Sequence, residues 1–189
     1  TIRNYMQWNN KFIYPKSTRS IIRGSRHYSV NKENLPSVTT ILKATEAEEK
    51  KLKLAEWKNR VGHKQAEIIS REATSRGSSM HDYLEKFLLG KLNLDLLGDN
   101  THEKMMADQI IENGLRDKLS EIWGCEATLY YPEKYAGTAD CIGIYENKET
   151  IIDFKQSNKP KKDEWIEDYY LQCAAYSLAH NKVHGSKIT

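Results

Sequence analysis

Residues 137–155, GTADCIGIYENKETIIDFK, are the most informative segment of this chain. Two runs rich in β-branched and apolar residues flank a turn-forming Glu-Asn-Lys, so the segment is predicted to form a β-hairpin whose second strand covers residues 149–155. Because side chains alternate between the faces of a strand, Asp153 and Lys155 are expected to point the same way. Asp140 lies in the first strand, so two carboxylates and an ammonium group are predicted to converge near one strand end.

This set of groups suits a divalent metal ion and an attacking water molecule. Mg²⁺ prefers carboxylate oxygens, and it commonly takes only one or two of them because it keeps waters and also binds substrate phosphate. A lysine beside them can hold the nucleophile or offset the negative charge of a transition state at phosphorus. Asp140, Asp153 and Lys155 are therefore the candidate catalytic residues.

The spacing of these three residues, D-x₁₂-D-x-K, resembles the core motif of the PD-(D/E)xK nucleases. The resemblance implies a mixed α/β fold with a restriction-endonuclease-like αβββαβ core, preceded here by a helical region. The predicted order of helix, three strands and helix matches that core up to its last strand. That strand would begin near Lys187, so either the chain is truncated or a later segment completes the core.

Three further motifs narrow the resemblance. Gln172 and Tyr176 look like the Q-x-x-x-Y helix motif of the RecB-like branch of these nucleases, and His81 looks like the upstream histidine of that branch. LPSVTTIL at residues 35–42 is similar to the N-terminal signature of phage exonucleases related to the mitochondrial genome maintenance exonuclease. A lone D-x-K occurs often by chance, whereas four motifs in this order are specific.

The resemblance implies an Mg²⁺-dependent exonuclease that hydrolyses DNA from free single-stranded ends in replication, recombination or repair, with Mn²⁺ able to replace Mg²⁺. Glu126, in a predicted strand at 122–131, is a second-tier acid that lies either near the metal or simply in solvent. Alternatively, His81 is a buried core residue whose ring nitrogens are hydrogen-bonded. The implied metal ligands are His81, Asp140, Asp153 and the carbonyl of Phe154, and the implied catalytic residues are Asp140, Asp153, Lys155, Gln172 and Tyr176.

The residues expected to contact DNA carry hydroxyl or basic side chains. Ser37 has a structural alternative, because a serine before an apolar run is a good N-cap for a helix that begins at Val38. Alternatively, the arginines are ordinary surface residues of the predicted helices. The candidates are Ser37, Thr39, Thr40, Arg60, Arg71, Arg76 and Lys159.

The net charge of +3 is small, but it is unevenly distributed. The first 32 residues carry seven Lys or Arg and no Asp or Glu, and residues 155–162 carry four Lys and no acid. Basic patches of this kind follow phosphate backbones. Residues 1–19 are expected to be a partly ordered lead-in, with a basic arm on DNA as the alternative.

Cysteine usage and hydropathy bear on the compartment. The three cysteines are odd in number and include no C-x-x-C pair, so neither a disulfide framework nor a four-cysteine iron–sulfur cluster is expected. No apolar run approaches the ~20 residues that span a membrane. A cytoplasmic protein is predicted, in the host cytoplasm if it is phage-encoded. The acid-poor start makes a mitochondrial transit peptide the alternative.

Glycines and helix caps set the expected element boundaries. A hairpin over residues 20–30 turns at Gly24 and Ser25, Gly77 separates two helices, and Asp163 caps the last helix. Helices are predicted at 46–60, 63–77, 78–90, 101–120 and 163–181, with a loop at 91–100. The whole chain, 1–189, is predicted to be one nuclease domain, with a basic lead-in and hairpin at 1–34, a helical DNA-path region at 35–90 and a catalytic core at 91–189.

Other functions remain open at this point. A double-strand exonuclease like that of phage lambda would act as a ring and would form a stable oligomer. A structure-specific endonuclease would cut covalently closed DNA. A non-catalytic protein that binds DNA ends would have a broken catalytic set, whereas this set is complete.

Overall fold

A computed structural model describes residues 6–90, 101–157, 159–163 and 166–189, so the predicted loop at 91–100 lies outside the described residues. The strands are β1 (Gln7–Trp8), β2 (Thr18–Ile22), β3 (Ser25–Val30), β4 (Glu33–Pro36), β5 (Leu119–Tyr131), β6 (Tyr135–Tyr145) and β7 (Lys148–Ile152). The helices are α1 (Val38–Ala44), α2 (Glu48–Val61), α3 (His63–Leu88), α4 (His102–Gln109) with a π-helical continuation (Ile110–Leu115), and α5 (Glu167–His184).

Within the described residues, the strands form two sheets. The larger has the order β1-β5-β6-β7, in which β5, β6 and β7 are antiparallel neighbours and β1 runs parallel to β5. The predicted order helix, strand, strand, strand, helix is present as α4, β5, β6, β7 and α5, and the mixed α/β fold is confirmed. Residues 185–189, where the last core strand was expected to begin, form no strand.

Helices cover the larger sheet on both faces. Alternate residues of β5 point to opposite sides, so Ile122 joins a core with α3 and α4, whereas Trp123 joins a core with α5. Cys141 and Ile142 of β6 divide in the same way. Removal of both apolar faces from water is the main stabilising contribution to this layered arrangement.

α3 is one continuous helix, so the predicted break at Gly77 is wrong. A glycine inside a helix costs about 1 kcal/mol relative to alanine, which is too little to end a helix whose following turns are buried. Met80, Leu84 and Leu88 are buried and hold that half of α3 against the sheet. Gly90 follows the end of the helix where expected, with a left-handed φ of +67°.

β7 ends at Ile152, whereas the predicted strand continued to residue 155. Its last pair joins Ile152 to Cys141 of β6. The adjacent residue of β6, Asp140, accepts the backbone N–H of Phe154 on its carboxylate at 2.7 Å. A side chain therefore supplies the hydrogen bond that a continued ladder would have supplied, and residues 153–155 leave the sheet beside Asp140.

The helices before and after the three antiparallel strands differ from prediction in their bounds. The predicted helix at 101–120 stops after the π-helical segment, and Asp117, at φ +62°, leads into β5. α5 begins at Glu167 with Ile166 as its N-cap residue, so the predicted cap at Asp163 is wrong. None of the helices in the described ranges is long and apolar enough to cross a membrane.

The N-terminal hairpin is confirmed, but its turn lies at Arg23 and Gly24, one residue earlier than predicted, because Ser25 already pairs with Ile22. β4 adds a third strand to it. Asn31 and Lys32, both at positive φ, turn the chain from β3 into β4. The small sheet docks on the larger one, since Tyr28 of β3 shares a buried cluster with residues of β4 and β6.

Of the lead-in predicted at residues 1–19, the structure describes residues 6–19. Residues 6–17 lie against the larger sheet, and Thr18 and Arg19 begin β2. The ring of Phe12 meets that of Trp123 edge to face, with 5.3 Å between centroids. The hydroxyl of Tyr14 lies 2.9 Å from Nε2 of His180 in α5. This segment is therefore packed along β5.

Candidate active site

Separate elements bring the predicted site residues to one cavity of about 460 Å³. They come from three separate motifs of the sequence: the D-x₁₂-D-x-K motif, the upstream histidine and the Q-x-x-x-Y motif. Asp140 belongs to β6, Asp153 and Lys155 to the chain after β7, His81 to α3, and Gln172 and Tyr176 to α5.

Asp140 is the hydrogen-bonding centre of this cavity. Its carboxylate accepts the Phe154 N–H and lies 3.3 Å from Nε2 of His81. The other ring nitrogen of His81 donates to the Gly77 carbonyl at 2.7 Å, and Nε2 also lies 2.8 Å from the Phe154 carbonyl oxygen. The hydrogen bond with Asp140 raises the pKa of His81 to about 9, which favours the imidazolium form. Burial alone would raise the pKa of Asp140, but the hydrogen bonds from His81 and Phe154 hold it below its usual value.

Asp153 and Lys155 form an ion pair beside Asp140. The Asp153 side chain is only 7% exposed, and burial together with the negative charge of Asp140 raises its pKa to about 6. Lys155 opposes this shift, because its ammonium group stabilises the ionised carboxylate. The ammonium nitrogen also lies 5.4 Å from the ring centre of Tyr169. Asp153 is therefore an acid that ionises more readily when a further cation is near.

Glu126 adds a third acid. It lies between Cys125 and Ala127 of β5, whose partners in β6 flank Asp140, and it has a left-handed φ of +50°. Burial of its carboxyl group and the charge of Asp140 raise the pKa of Glu126 to about 7. Although the residue as a whole is exposed, its carboxyl group faces the other acids. Glu126, the predicted second-tier acid, therefore lines the cavity.

Gln172 and Tyr176 close the buried side of the cavity. Both side chains are buried, and the Gln172 amide donates to the Tyr176 hydroxyl at 3.0 Å. The Tyr176 ring lies directly on Gly137, where an added Cβ atom would come within 2.5 Å of a ring carbon. The glycine near the start of β6 therefore makes room for Tyr176.

The N-terminal hairpin contributes residues that the sequence prediction missed. Arg19, Arg26 and Tyr28 line the same cavity. Arg19 pairs with Tyr28 across β2 and β3, and Arg26 lies two positions from Tyr28, so the three share one face of the hairpin. The acid-free composition of residues 1–32 and the alternation along β3 were the available signals. The docking of this face over the site is not visible in local sequence.

Two of the three predicted hydroxyl contacts, Ser37 and Thr39, line the cavity, and Thr40 does not. Ser37 Oγ accepts the N–H of Thr40 at 3.0 Å and caps α1, which confirms the structural alternative for this residue. The Thr40 hydroxyl donates to the carbonyl of Arg26 at 2.9 Å. Thr39 is the exposed member of the group.

The predicted basic contacts lie outside the cavity lining. Arg71 pairs with Glu67, one helical turn earlier, at 3.0 Å. α3 reaches the cavity through Thr74, Gly77 and Ser78. The basic candidates that do not line the cavity are Arg60, Arg71, Arg76 and Lys159.

Asp140, Asp153 and Glu126 are the carboxylates that the cavity offers to a cation. Asp140 and Asp153 lie within hydrogen-bonding reach of each other. Across the residues that the structure describes, no group of three or more His, Cys, Asp or Glu side chains already has metal-binding geometry. A hard divalent ion needs only one or two carboxylates when water and phosphate supply its other ligands. The donor set therefore fits such an ion bound together with a phosphate.

No protein-family model matches this chain. The chain is similar to "Mitochondrial genome maintenance exonuclease 1" of Mus musculus, with 32% identity over 160 residues that cover 80% of this chain and 46% of that protein. The proteins of the same name from Xenopus tropicalis and Homo sapiens are 32% and 29% identical, over 78% of this chain and 43% and 44% of their own lengths. The chain spans less than half the length of the curated relatives it matches. Over about 80% of its residues, this chain is homologous to proteins named as exonucleases.

Proposed function

We propose that this chain is a metal-dependent DNA exonuclease that hydrolyses phosphodiester bonds from free single-stranded ends. The observation that carries the proposal is the meeting of Asp140, Asp153 and Lys155 in one cavity, beneath a hairpin that contributes two arginines. Carboxylates suit a divalent metal and arginines suit phosphate, so the cavity has groups for both parts of a phosphodiester site. The homologues support this proposal through their name, which describes exonucleases of genome maintenance.

Mg²⁺ is the proposed cofactor, and Mn²⁺ is expected to replace it. Asp140, Asp153 and the Phe154 carbonyl are the proposed ligands. When bound, the ion would supply a polarised phosphate and a more acidic water. A cation also suits the charge of this site. Burial and the negative charge of Asp140 raise the pKa values of Asp153 and Glu126, and a bound cation would favour the ionised form of both carboxyl groups.

The other roles fall to the side chains around these ligands. Lys155 is proposed to orient the attacking water and to offset the charge that develops on the phosphate. His81 contacts the carboxylate and the carbonyl proposed as ligands, so as an imidazolium it can fix their positions or hold substrate phosphate. It can complete a second metal site only after it loses its proton, because an imidazolium has no free lone pair. The bonded pair of Gln172 and Tyr176 supports the cavity from its buried side.

A single strand is the proposed form of the substrate. The hairpin lines the cavity with Arg19 and Arg26, and α3 lines it with Thr74 and Ser78. The cavity therefore lies between these two elements. DNA that reaches Asp140 passes between these elements, and one strand fits such a passage more easily than a duplex. The cytoplasm remains the location predicted from sequence, and the name of the homologues fits the mitochondrial alternative.

Linear and circular single-stranded DNA of the same sequence test the proposal. With Mg²⁺, the protein is expected to degrade only the linear DNA, and a chelator is expected to stop the reaction. Lys155→Ala should slow cleavage by roughly 10²-fold or more while DNA binding remains. Lys148→Ala, an exposed lysine at the other end of β7, is the matched control and should cut at the normal rate. Cutting of the circle would show an endonuclease, and binding without cutting would show a DNA-binding protein.

A further inference from the structure

A second cavity, about 760 Å³ in volume, adjoins the candidate active site. Its floor is β5 at residues 123–128 and its wall is the N-terminal segment at residues 8–19; we call this space the β5 groove. The residues that line both spaces are Arg19, Tyr28, Glu126 and Thr138. The β5 groove therefore opens into the active-site cavity beside Glu126.

Specific contacts fix the wall of the β5 groove to the sheet. The Tyr14 hydroxyl bonds to His180, and Ser17 Oγ lies 2.7 Å from the hydroxyl of Thr128. The Tyr14 ring lies so close to Gly124 that a Cβ atom there would approach it to 2.8 Å. Because the wall is already ordered, a ligand that enters the groove does not have to order it.

The lining of the β5 groove matches the two chemical parts of a nucleotide chain. Lys16 and Arg19 are exposed, and neither forms an ion pair in the described part of the chain. Trp8 is 44% exposed, and its indole N–H donates to the Leu88 carbonyl at 3.0 Å, so its ring is held in one orientation. Cations bind the phosphates of a strand, and a fixed aromatic surface stacks against its bases. Neither interaction reads the sequence. Glu126, at the junction with the active site, is the one acid among the lining residues.

Building on the nuclease function proposed above, we propose that the β5 groove binds the single-stranded DNA next to the cleaved phosphate. Lys16 and Arg19 hold backbone phosphates, and Trp8 stacks against a base. The strand then passes between the hairpin and α3, crosses the acids of the active site and continues along β5. Binding is independent of sequence, because phosphates and base faces are common to all nucleotides.

Salt-dependent binding of fluorescent oligodeoxythymidine tests this inference in an Asp153→Asn protein, in which cleavage is expected to be lost. On a single strand, each phosphate contact contributes about 0.7 to the slope of log Kd against log salt concentration. Lys16→Ala in this background should therefore reduce the slope by about 0.7. Lys118→Ala removes an exposed lysine that precedes β5 and does not line the groove, so it should leave the slope unchanged.

Photo-cross-linking locates the DNA without a change in the groove. Oligodeoxythymidine that carries 5-iododeoxyuridine is irradiated with the Asp153→Asn protein, and Trp8 or Tyr14 is expected in the cross-linked peptide. A slope for Lys16→Ala equal to that for Lys118→Ala, or cross-links only to aromatic residues outside the groove such as Trp57, would overturn the inference.

Cleavage by the unaltered protein is measured separately, so the two proposals can fail independently. Cross-links in the groove and a lowered slope for Lys16→Ala, without cleavage, would refute the proposed nuclease activity and support DNA binding in the β5 groove. Cleavage without groove cross-links and without a lowered slope would support the nuclease activity and refute DNA binding in the groove. A protein that does not bind single-stranded DNA would refute both.

Discussion

Asp140, Asp153 and Glu126 lie close together but differ in their ionisation. Asp140 receives hydrogen bonds from His81 and from the Phe154 N–H, which hold its pKa low. Burial and the nearby charge of Asp140 raise the pKa values of Asp153 and Glu126 to about 6 and about 7. The difference follows from which acid receives hydrogen bonds and which faces another negative charge. Such a cluster gains most from an added cation.

The glycine beneath Tyr176 gives a test at the residue scale. Gly137→Ala would place a Cβ atom 2.5 Å from the buried ring, so Tyr176 must move. We expect a loss of about 1–3 kcal/mol in the free energy of unfolding, together with reduced cleavage. Chemical denaturation measures the first effect and DNA hydrolysis the second.

Gly77→Ala is the matched control for that substitution. Its new Cβ atom would lie 3.8 Å from the nearest atom, in the Gln156 side chain, and would sit inside α3. Alanine is the better helix former, so we expect stabilisation by up to about 1 kcal/mol. Two alanine variants of equal stability would contradict the close contact between Gly137 and Tyr176.

At the element scale, the predictions were correct for those elements whose boundaries are set by local features of the sequence. Alternation predicted the β6–β7 hairpin, Ser37 predicted the start of α1, and the Q-x-x-x-Y motif placed Gln172 and Tyr176 on one helix. The break at Gly77 was wrong because the buried face of α3 outweighs one unfavourable residue. The extended β7 was wrong because the Asp140 side chain captures a backbone N–H.

The arginines of the hairpin illustrate what local sequence could not supply. Arg19 and Arg26 lie a hundred or more residues before the acids that they accompany in the cavity. Their position depends on how the small sheet docks against β6, which is set by burial of Tyr28 and its neighbours rather than by a motif. The meeting of Asp140 and Asp153 was predictable because both lie in or directly after one hairpin.

The cap of α1 gives a test at the element scale. Ser37→Ala removes the oxygen that accepts the Thr40 N–H, so the free energy of unfolding should fall by about 1 kcal/mol. Ser37→Asn keeps a capping oxygen and should retain most of the stability. Thermal unfolding of both variants measures this difference, and equal losses would show that Ser37 contributes through something other than capping.

At the scale of the whole molecule, the N-terminal segment connects the two sheets and reaches α5. Tyr28 packs with Ala136 of β6, and Tyr14 bonds to His180 on the far helix. His180 is fully buried between Tyr14 and Ser186, with His184 and Lys11 nearby. Burial lowers the pKa of His180 to about 4, because the interior disfavours the charged imidazolium.

His180 should make stability depend on pH. Between pH 6.5, the ordinary pKa of histidine, and about pH 4, the unfolded chain binds a proton at His180 that the folded chain does not. Stability contributed by this group is therefore complete above pH 6.5 and falls as the pH drops, by about 3 kcal/mol at most. Urea unfolding of the parent and of His180→Gln should show a flatter pH profile in the variant, and identical slopes would contradict the buried neutral histidine.

The most direct test of the proposed nuclease is the hydrolysis of end-labelled linear single-stranded DNA by the unaltered protein and by Asp153→Asn, with Mg²⁺ present. We expect Mg²⁺-dependent loss of the full-length strand with the unaltered protein and none with the variant, although both bind the DNA. Equal hydrolysis by the two proteins would show that the cavity around Asp140 and Asp153 is not the active site.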